Sequence, residues 1–342
     1  MNPGQRIKAI GLGAAASLVL YASGFLALFT PLPILYVSVT RGRGDGLRAA
    51  VAATAVLCIV YALAPLSVPA DAQGSAFPLP AVGMAPFFKP AFIWIAGVGY
   101  FAYFAVAGLV LGEGAHRRQE LVRWGGQAFV ASFAVLASIV LLGSAMGSEG
   151  GGFAGLLTQI IREIAAVQAQ AGAGSANIGF LTDNAAEAVA LMKGISPSIL
   201  FVFTLFTIVL NMVIGRRVIR GRKAFSHVHN VARFRMPDPA VWAMIGGGAA
   251  FFADSYLLHS GAIRIASINV MVAFGSLYFF QGLAVIAYFL QGVKLPILRT
   301  LAYVAIIIFL QTVGMLIVAL GVADVWADFR LRNWKARHTD QA

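Results

Sequence analysis

Apolar residues occupy this chain in long runs separated by short basic clusters, and most runs carry no polar face recurring at helical spacing. A hydrocarbon core about 30 Å thick takes roughly 20 helical residues to cross. The pattern predicts an all-α, polytopic transmembrane helix bundle of eight or nine hydrophobic segments. The first is Ala9–Leu28; it meets Pro31 and Pro33, two prolines that interrupt a helix, and Ile34–Val39 continues the apolar character. The later segments are Gly46–Leu66, Ala91–Gly112, Gly126–Met146, Pro197–Gly215, Ala240–Leu258, Ile265–Leu290 and Pro296–Val322.

Between 147 and 195 the pattern changes. Phe153, Leu156, Leu157, Ile160, Ile161, Ile164 and Val167 recur at helical spacing, with Gln159, Arg162 and Glu163 opposite them, which predicts an amphipathic helix. That helix lies on the membrane surface, caps the bundle, or acts as a lid. A second helix over 184–193 is expected to take Thr182 or Asp183 as its N-cap and to stop at Gly194, with Pro197 opening the next crossing.

Charge supplies the orientation. Arg41, Arg43 and Arg48, then His116 to Arg123, then Arg216 to Arg235 form basic loops, which belong on the cytoplasmic side, while 67–90 and 147–195 are poor in Lys and Arg. The expected organisation is an N-terminal transmembrane bundle over 1–146, an extracytoplasmic amphipathic insertion over 147–195, a C-terminal transmembrane bundle over 196–330 and a basic cytoplasmic tail over 331–342. A cytoplasmic tail requires that either Ile265–Leu290 or Pro296–Val322 be bent into two short segments.

Composition agrees with this reading: 60% of the 342 residues are hydrophobic and only 11% are charged, well below the share of about 25% in soluble domains. The net charge of +12 sits in clusters beside the apolar runs, so it speaks for anionic headgroups rather than nucleic acid. The partner is the lipid bilayer. Arg6 and Lys8 ahead of an apolar stretch read as an uncleaved first helix, because equally apolar spans follow. A single cysteine, Cys58, excludes an intramolecular disulfide and a Cys-based metal site. His227 and His229 have no carboxylate or cysteine close by in sequence, so no metal site is expected there. The glycines at 150–152 and 246–248 lack the context of a phosphate loop. No cofactor and no enzymatic centre is expected.

Candidate chemistry rests on the few polar groups inside the apolar runs. Asn211, Asn269, Gln281 and Gln311 either bond between helices or line a cavity. Asp254 and His259 are candidates for proton or ligand handling, though five-residue spacing matches a helix poorly. Trp94, Tyr100, Tyr103, Tyr256, Tyr278 and Tyr288 either stack on a heterocyclic ligand or form belts at the headgroups. Asp324 and Asp328 stand four residues apart, with Arg330 beside them and Arg332 spaced for a helical ion pair with Asp328.

Four features together resemble the YybS-like family of bacterial membrane proteins, a domain of unknown function. They are Pro31-Leu-Pro33 followed by Arg43 and Gly44, Ser196-Pro197, Gln281-Gly282 in an aromatic-rich helix, and the closing Gly321, Asp324, Asp328 and Arg330. That family is similar to the S components of energy-coupling-factor transporters, which bind a small solute and dock on a coupling membrane subunit with ATPases. The resemblance implies an S-component-like core in a bacterial inner membrane and a small, aromatic or heterocyclic solute held by Tyr100, Tyr103, Asn269, Tyr278 and Gln281, with Asp254 as second choice. It further implies a small-residue face of Ala9, Gly13 and Ser17 toward the coupling subunit. The alternative function is a non-transporting scaffold or assembly factor that holds partners through its basic loop.

Overall fold

A computed structural model of the chain describes residues 3–63, 89–117, 121–147, 151–170, 185–219, 232, 234–293 and 295–333. The expected outer loop over 67–88, the N-cap at Thr182 or Asp183, most of the basic loop, the pair His227 and His229, and the end of the tail lie outside the described residues. Those described are built from α-helices and contain no β-strand. The helices are α1 (Pro3–Ala22), α2 (Pro31–Arg41), α3 (Arg43–Leu63), α4 (Pro90–His116), α5 (Leu121–Ala145), α6 (Gly152–Gln170), α7 (Ala185–Val218), α8 (Ala240–Ala253), α9 (Gly261–Gln291), α10 (Pro296–Ile308) and α11 (Leu310–Ala327). Among the described residues, seven helical segments are long and apolar enough to cross a membrane: α3, α4, α5, α7, α8 with its extension to Leu258, α9 and α11. Contacts divide the chain into two units, residues 1–196 with 203–228, and residues 197–202 with 229–342.

In the first unit, α1 and α2 are separated by an irregular stretch around Gly24 and a short turn at Ala27–Phe29. Pro31 and Pro33 fall in the first turn of α2, where a missing N–H breaks no helical bond. At 11 residues α2 is only about 16 Å long, too short to cross, and it is buried against α3 and α4. Its backbone approaches α4 at Gly108 and Gly112, where an added Cβ would strike the Pro31 carbonyl and Ser38 respectively. The carbonyls exposed by the break are taken up by side chains: Ser17 donates to Thr30 at 3.1 Å and Asn211 donates to Leu28 at 2.7 Å. Asn211 therefore plays the interhelical role, closing a break 183 residues earlier in the chain.

Ion pairs gather the basic clusters at one end of this unit. Asp45 receives Arg6 and Arg48 at 2.7 Å, and Glu113 holds Arg43 at 3.7 Å and Arg117 at 2.5 Å. The N-termini of α1 and α3 and the C-terminus of α4 therefore share an end, as the charge pattern requires. Below it Leu35, Ala107, Leu111, Trp124, Ala128, Ile208 and Met212 form a continuous apolar core from α2, α4, α5 and α7. The amphipathic α6 forms as expected. Phe153 and Leu156 pack on Phe92 and Ala96, and Ile161 packs on Ala188 and Val189, while Gln159, Arg162 and Glu163 face out. Ile160 joins that exposed face, against the expectation.

Two predicted boundaries are corrected. No helix stops at Gly194: α7 runs through Pro197 as one helix of 34 residues. In the second unit the Asn269 Oδ1 accepts the Ser198 N–H at 3.0 Å, which supports the helix beside the proline. The stretch Pro296–Val322 is not one segment, because the chain breaks at Phe309 into α10 and α11. Of the two long stretches, this is the bent one; Gly261–Gln291 is continuous. In that unit α9 packs on α8 and on α11, the latter so closely that a Cβ at Gly282 would overlap the Ile317 carbonyl and one at Gly321 the Tyr278 carbonyl.

Candidate functional site

Six sequence candidates for ligand binding divide between the units. Tyr100 and Tyr103 lie in the first, and Asp254, Asn269, Tyr278 and Gln281 in the second.

In the first unit, Tyr103 is the middle residue of α4 and is fully buried. Its ring lies parallel to that of Tyr100, with centroids 6.1 Å apart, and Phe203 of α7 stacks on both at 5.9 and 6.5 Å. Phe104 meets Tyr100 and Tyr103 edge-on at 4.8 and 4.9 Å. Tyr100 and Phe203 are half-buried, so these two rings form the outer wall of the group.

The polar atoms behind the rings are the informative ones. Ala107, Ala128 and Ile208 pack together across α4, α5 and α7, and one turn away along each helix stand Tyr103, Ser132 and Thr204. All three side chains are fully buried, and none of the three hydroxyls makes a hydrogen bond of good geometry, although that of Tyr103 lies toward the Thr204 and Thr207 hydroxyls. Hydroxyls buried away from water without partners are destabilising and rare. In mid-span they mark a place where the chain leaves hydrogen-bonding capacity open. Ser132 and Thr204 were not among the sequence candidates. Single hydroxyls in apolar runs carry no signal until helix register brings three of them to one level.

In the second unit several polar groups are joined into a network. Gln281, fully buried on α9, accepts the Met236 N–H at 2.9 Å and donates to the Asp324 carboxylate at 3.1 Å. Arg330 donates to the same carboxylate at 2.5 Å and to the Ala232 and Phe234 carbonyls at 3.1 and 2.8 Å. Arg235 reaches Asp328 at 2.9 Å and Asp238 at 3.1 Å. The closing motif and the candidate Gln281 are thus one network, and it holds the strand of backbone that leads into α8.

The expected helical pairing of Asp328 is corrected by this geometry. The helix ends at Ala327 and Asp328 adopts a left-handed conformation, φ 40°. Asp324 and Asp328 therefore share no helical face, and Asp328 pairs with Arg235 rather than Arg332.

Asn269 and Asp254 are engaged in structure. Asn269 holds Ser198 and donates to the Ile265 carbonyl at 2.9 Å. The carboxylate of Asp254 accepts the Ser260 N–H at 2.6 Å, while its carbonyl takes the His259 N–H at 2.8 Å, which closes the turn between α8 and α9. The Tyr278 hydroxyl is buried without a partner. On α1, a Cβ at Gly13 would lie 2.6 Å from Val37 and Ser17 bonds Thr30, so two of the three small positions are covered by α2 of the same chain. Among the described residues no group of His, Cys, Asp and Glu is arranged to hold a metal.

Helices of this length, apolarity and mutual packing define a multi-spanning α-helical membrane protein. Within that class the chain belongs to a family of predicted membrane proteins, DUF2232, whose family model matches residues 84–325. The match includes Tyr103, Ser132, Thr204, Gln281 and Asp324. No curated protein and no solved structure matches the chain.

Proposed function

We propose that this protein binds a small solute within the membrane, as a non-enzymatic binding or transport component of a bacterial inner membrane, and that the first unit holds the site. The observation carrying this reading is the level of three buried hydroxyls, Tyr103, Ser132 and Thr204, together with the stacked rings of Tyr100, Tyr103 and Phe203. Rings offer stacking area to a planar molecule, and open hydroxyls offer it specificity. Such a site is what an S-component-like protein needs, so the kinship to YybS-like proteins and to S components belongs to this proposal. A coupling membrane subunit with ATPases is then the expected partner.

A thermal-shift screen of the detergent-purified protein against vitamins and their heterocyclic precursors tests the reading, because a ligand of the folded state raises its melting temperature. Tyr103→Phe combined with Thr204→Val removes two hydroxyls and is expected to weaken the best hit by about tenfold or more. A hit whose affinity the double variant leaves unchanged overturns the site.

The second reading, a scaffold working through the basic loop, draws on the way Arg330 and Gln281 hold residues 232–236 at the end of that loop. Affinity purification separates the two. Recovery of a coupling subunit with ATPases supports the first, whereas partners lost on charge reversal of Arg216 and Arg217 support the second.

A further inference from the structure

Along α4, α5 and α7 the hydroxyl level is remote from every charged side chain. The nearest in sequence are Glu113 on α4, Arg123 on α5, and Lys193 and Arg216 on α7. Nine to twelve residues of helix separate each from Tyr103, Ser132 or Thr204, a distance of at least about 13 Å along the axis. The groups at the level itself are aromatic rings and neutral hydroxyls, which donate and accept hydrogen bonds but cannot neutralise an ion. An ion brought there would lose its water and gain no counter-charge.

We infer that the solute of the first unit is an uncharged, planar molecule with a hydrogen-bonding edge, selected against its ionised analogues because, among the described residues, α4, α5 and α7 place no charged side chain at this level. The inference rests on the proposed solute site and adds its selectivity. It also assigns Ser132 and Thr204 as specificity residues.

Thiol labelling tests this without knowing the solute. Cys58 is the one native cysteine and is exposed on α3, so the natural protein reports the reactivity of a thiol facing the surrounding medium. Thr204→Cys in a Cys58→Ser background places one thiol at the hydroxyl level. It is treated with benzyl methanethiosulfonate, which is planar and neutral, and with the anionic sulfonatoethyl and cationic trimethylammonioethyl reagents. In each case the thiolate attacks the sulfenyl sulfur, forms a mixed disulfide and releases methanesulfinate. The neutral reagent is expected to modify the buried thiol at least about tenfold faster, relative to Cys58, than either charged reagent. Equal modification by a charged reagent overturns the inference while leaving the solute site standing. Failure of all three to modify the folded protein overturns the solute site itself, and the inference with it. Ser132→Cys in the same background exchanges only oxygen for sulfur and gives the same readout if Thr204→Cys does not fold.

Discussion

A helix level in the first unit and a side-chain network in the second handle buried polarity differently. In the second, Gln281, Asp324, Arg330, Arg235 and Asp328 bond one another and the backbone of Ala232, Phe234 and Met236. In the first, Tyr103, Ser132 and Thr204 come to one level and leave their hydroxyls open. Polar side chains within membrane spans are expensive, so both arrangements need a reason. A bonded network reads as architecture, because its members hold one another, Asp324 through one of its two carboxylate oxygens. A level whose hydroxyls make no bond of good geometry reads as function, because it can still take a partner from elsewhere. The contrast separates candidates that the sequence could only place side by side.

The largest effect should follow from opening the bonded network. Asp324→Ala leaves the Arg330 guanidinium, only 11% exposed, without its buried carboxylate, and is expected to destabilise the protein by about 3–5 kcal/mol. Thermal unfolding in detergent should report it, and replacing both Asp324 and Arg330 by Leu should recover part of the loss. Full stability of Asp324→Ala would end the architectural reading. A smaller loss, about 1–3 kcal/mol, is expected for Gly321→Val, which drives a side chain into the Tyr278 carbonyl and forces α9 and α11 apart. Accelerated proteolysis of the C-terminal helices is the accompanying measurement. The smallest effect is the sharpest test of the comparison. Ser132→Ala together with Thr204→Val removes buried hydroxyls that bond nothing by good geometry, so stability should be unchanged or rise by about 1 kcal/mol. A large drop would mean that these hydroxyls hold the bundle together.

Much of the fold was legible because its signal is local. Runs of apolar residues bounded by arginines mark spans, and the stripe from Phe153 to Ile161 marks α6. What escaped was non-local. Pro197 reads as the start of a helix from its own neighbours, and its acceptance inside α7 goes with the Asn269 amide, 71 positions from Ser198. The break at Phe309 has no glycine or proline on either side to announce it. The site was half legible. Tyr100 and Tyr103 stood out as aromatics, and Gln281 and the closing motif as polar groups among apolar ones. That the Gln281 amide donates to Asp324, while Ser132 and Thr204 share a level with Tyr103, depends on how helices align, which spacing along one helix does not encode.

The broken hairpin of α1 and α2 has a consequence for how the protein is made. The Leu28 carbonyl at its tip is capped by Asn211, and the two are 183 positions apart. At about 5–20 residues per second, a ribosome needs on the order of 10–40 s to travel that far. For that interval the newly inserted N-terminal hairpin must stay near the translocon or keep a water at its tip, and only the emergence of α7 seals it.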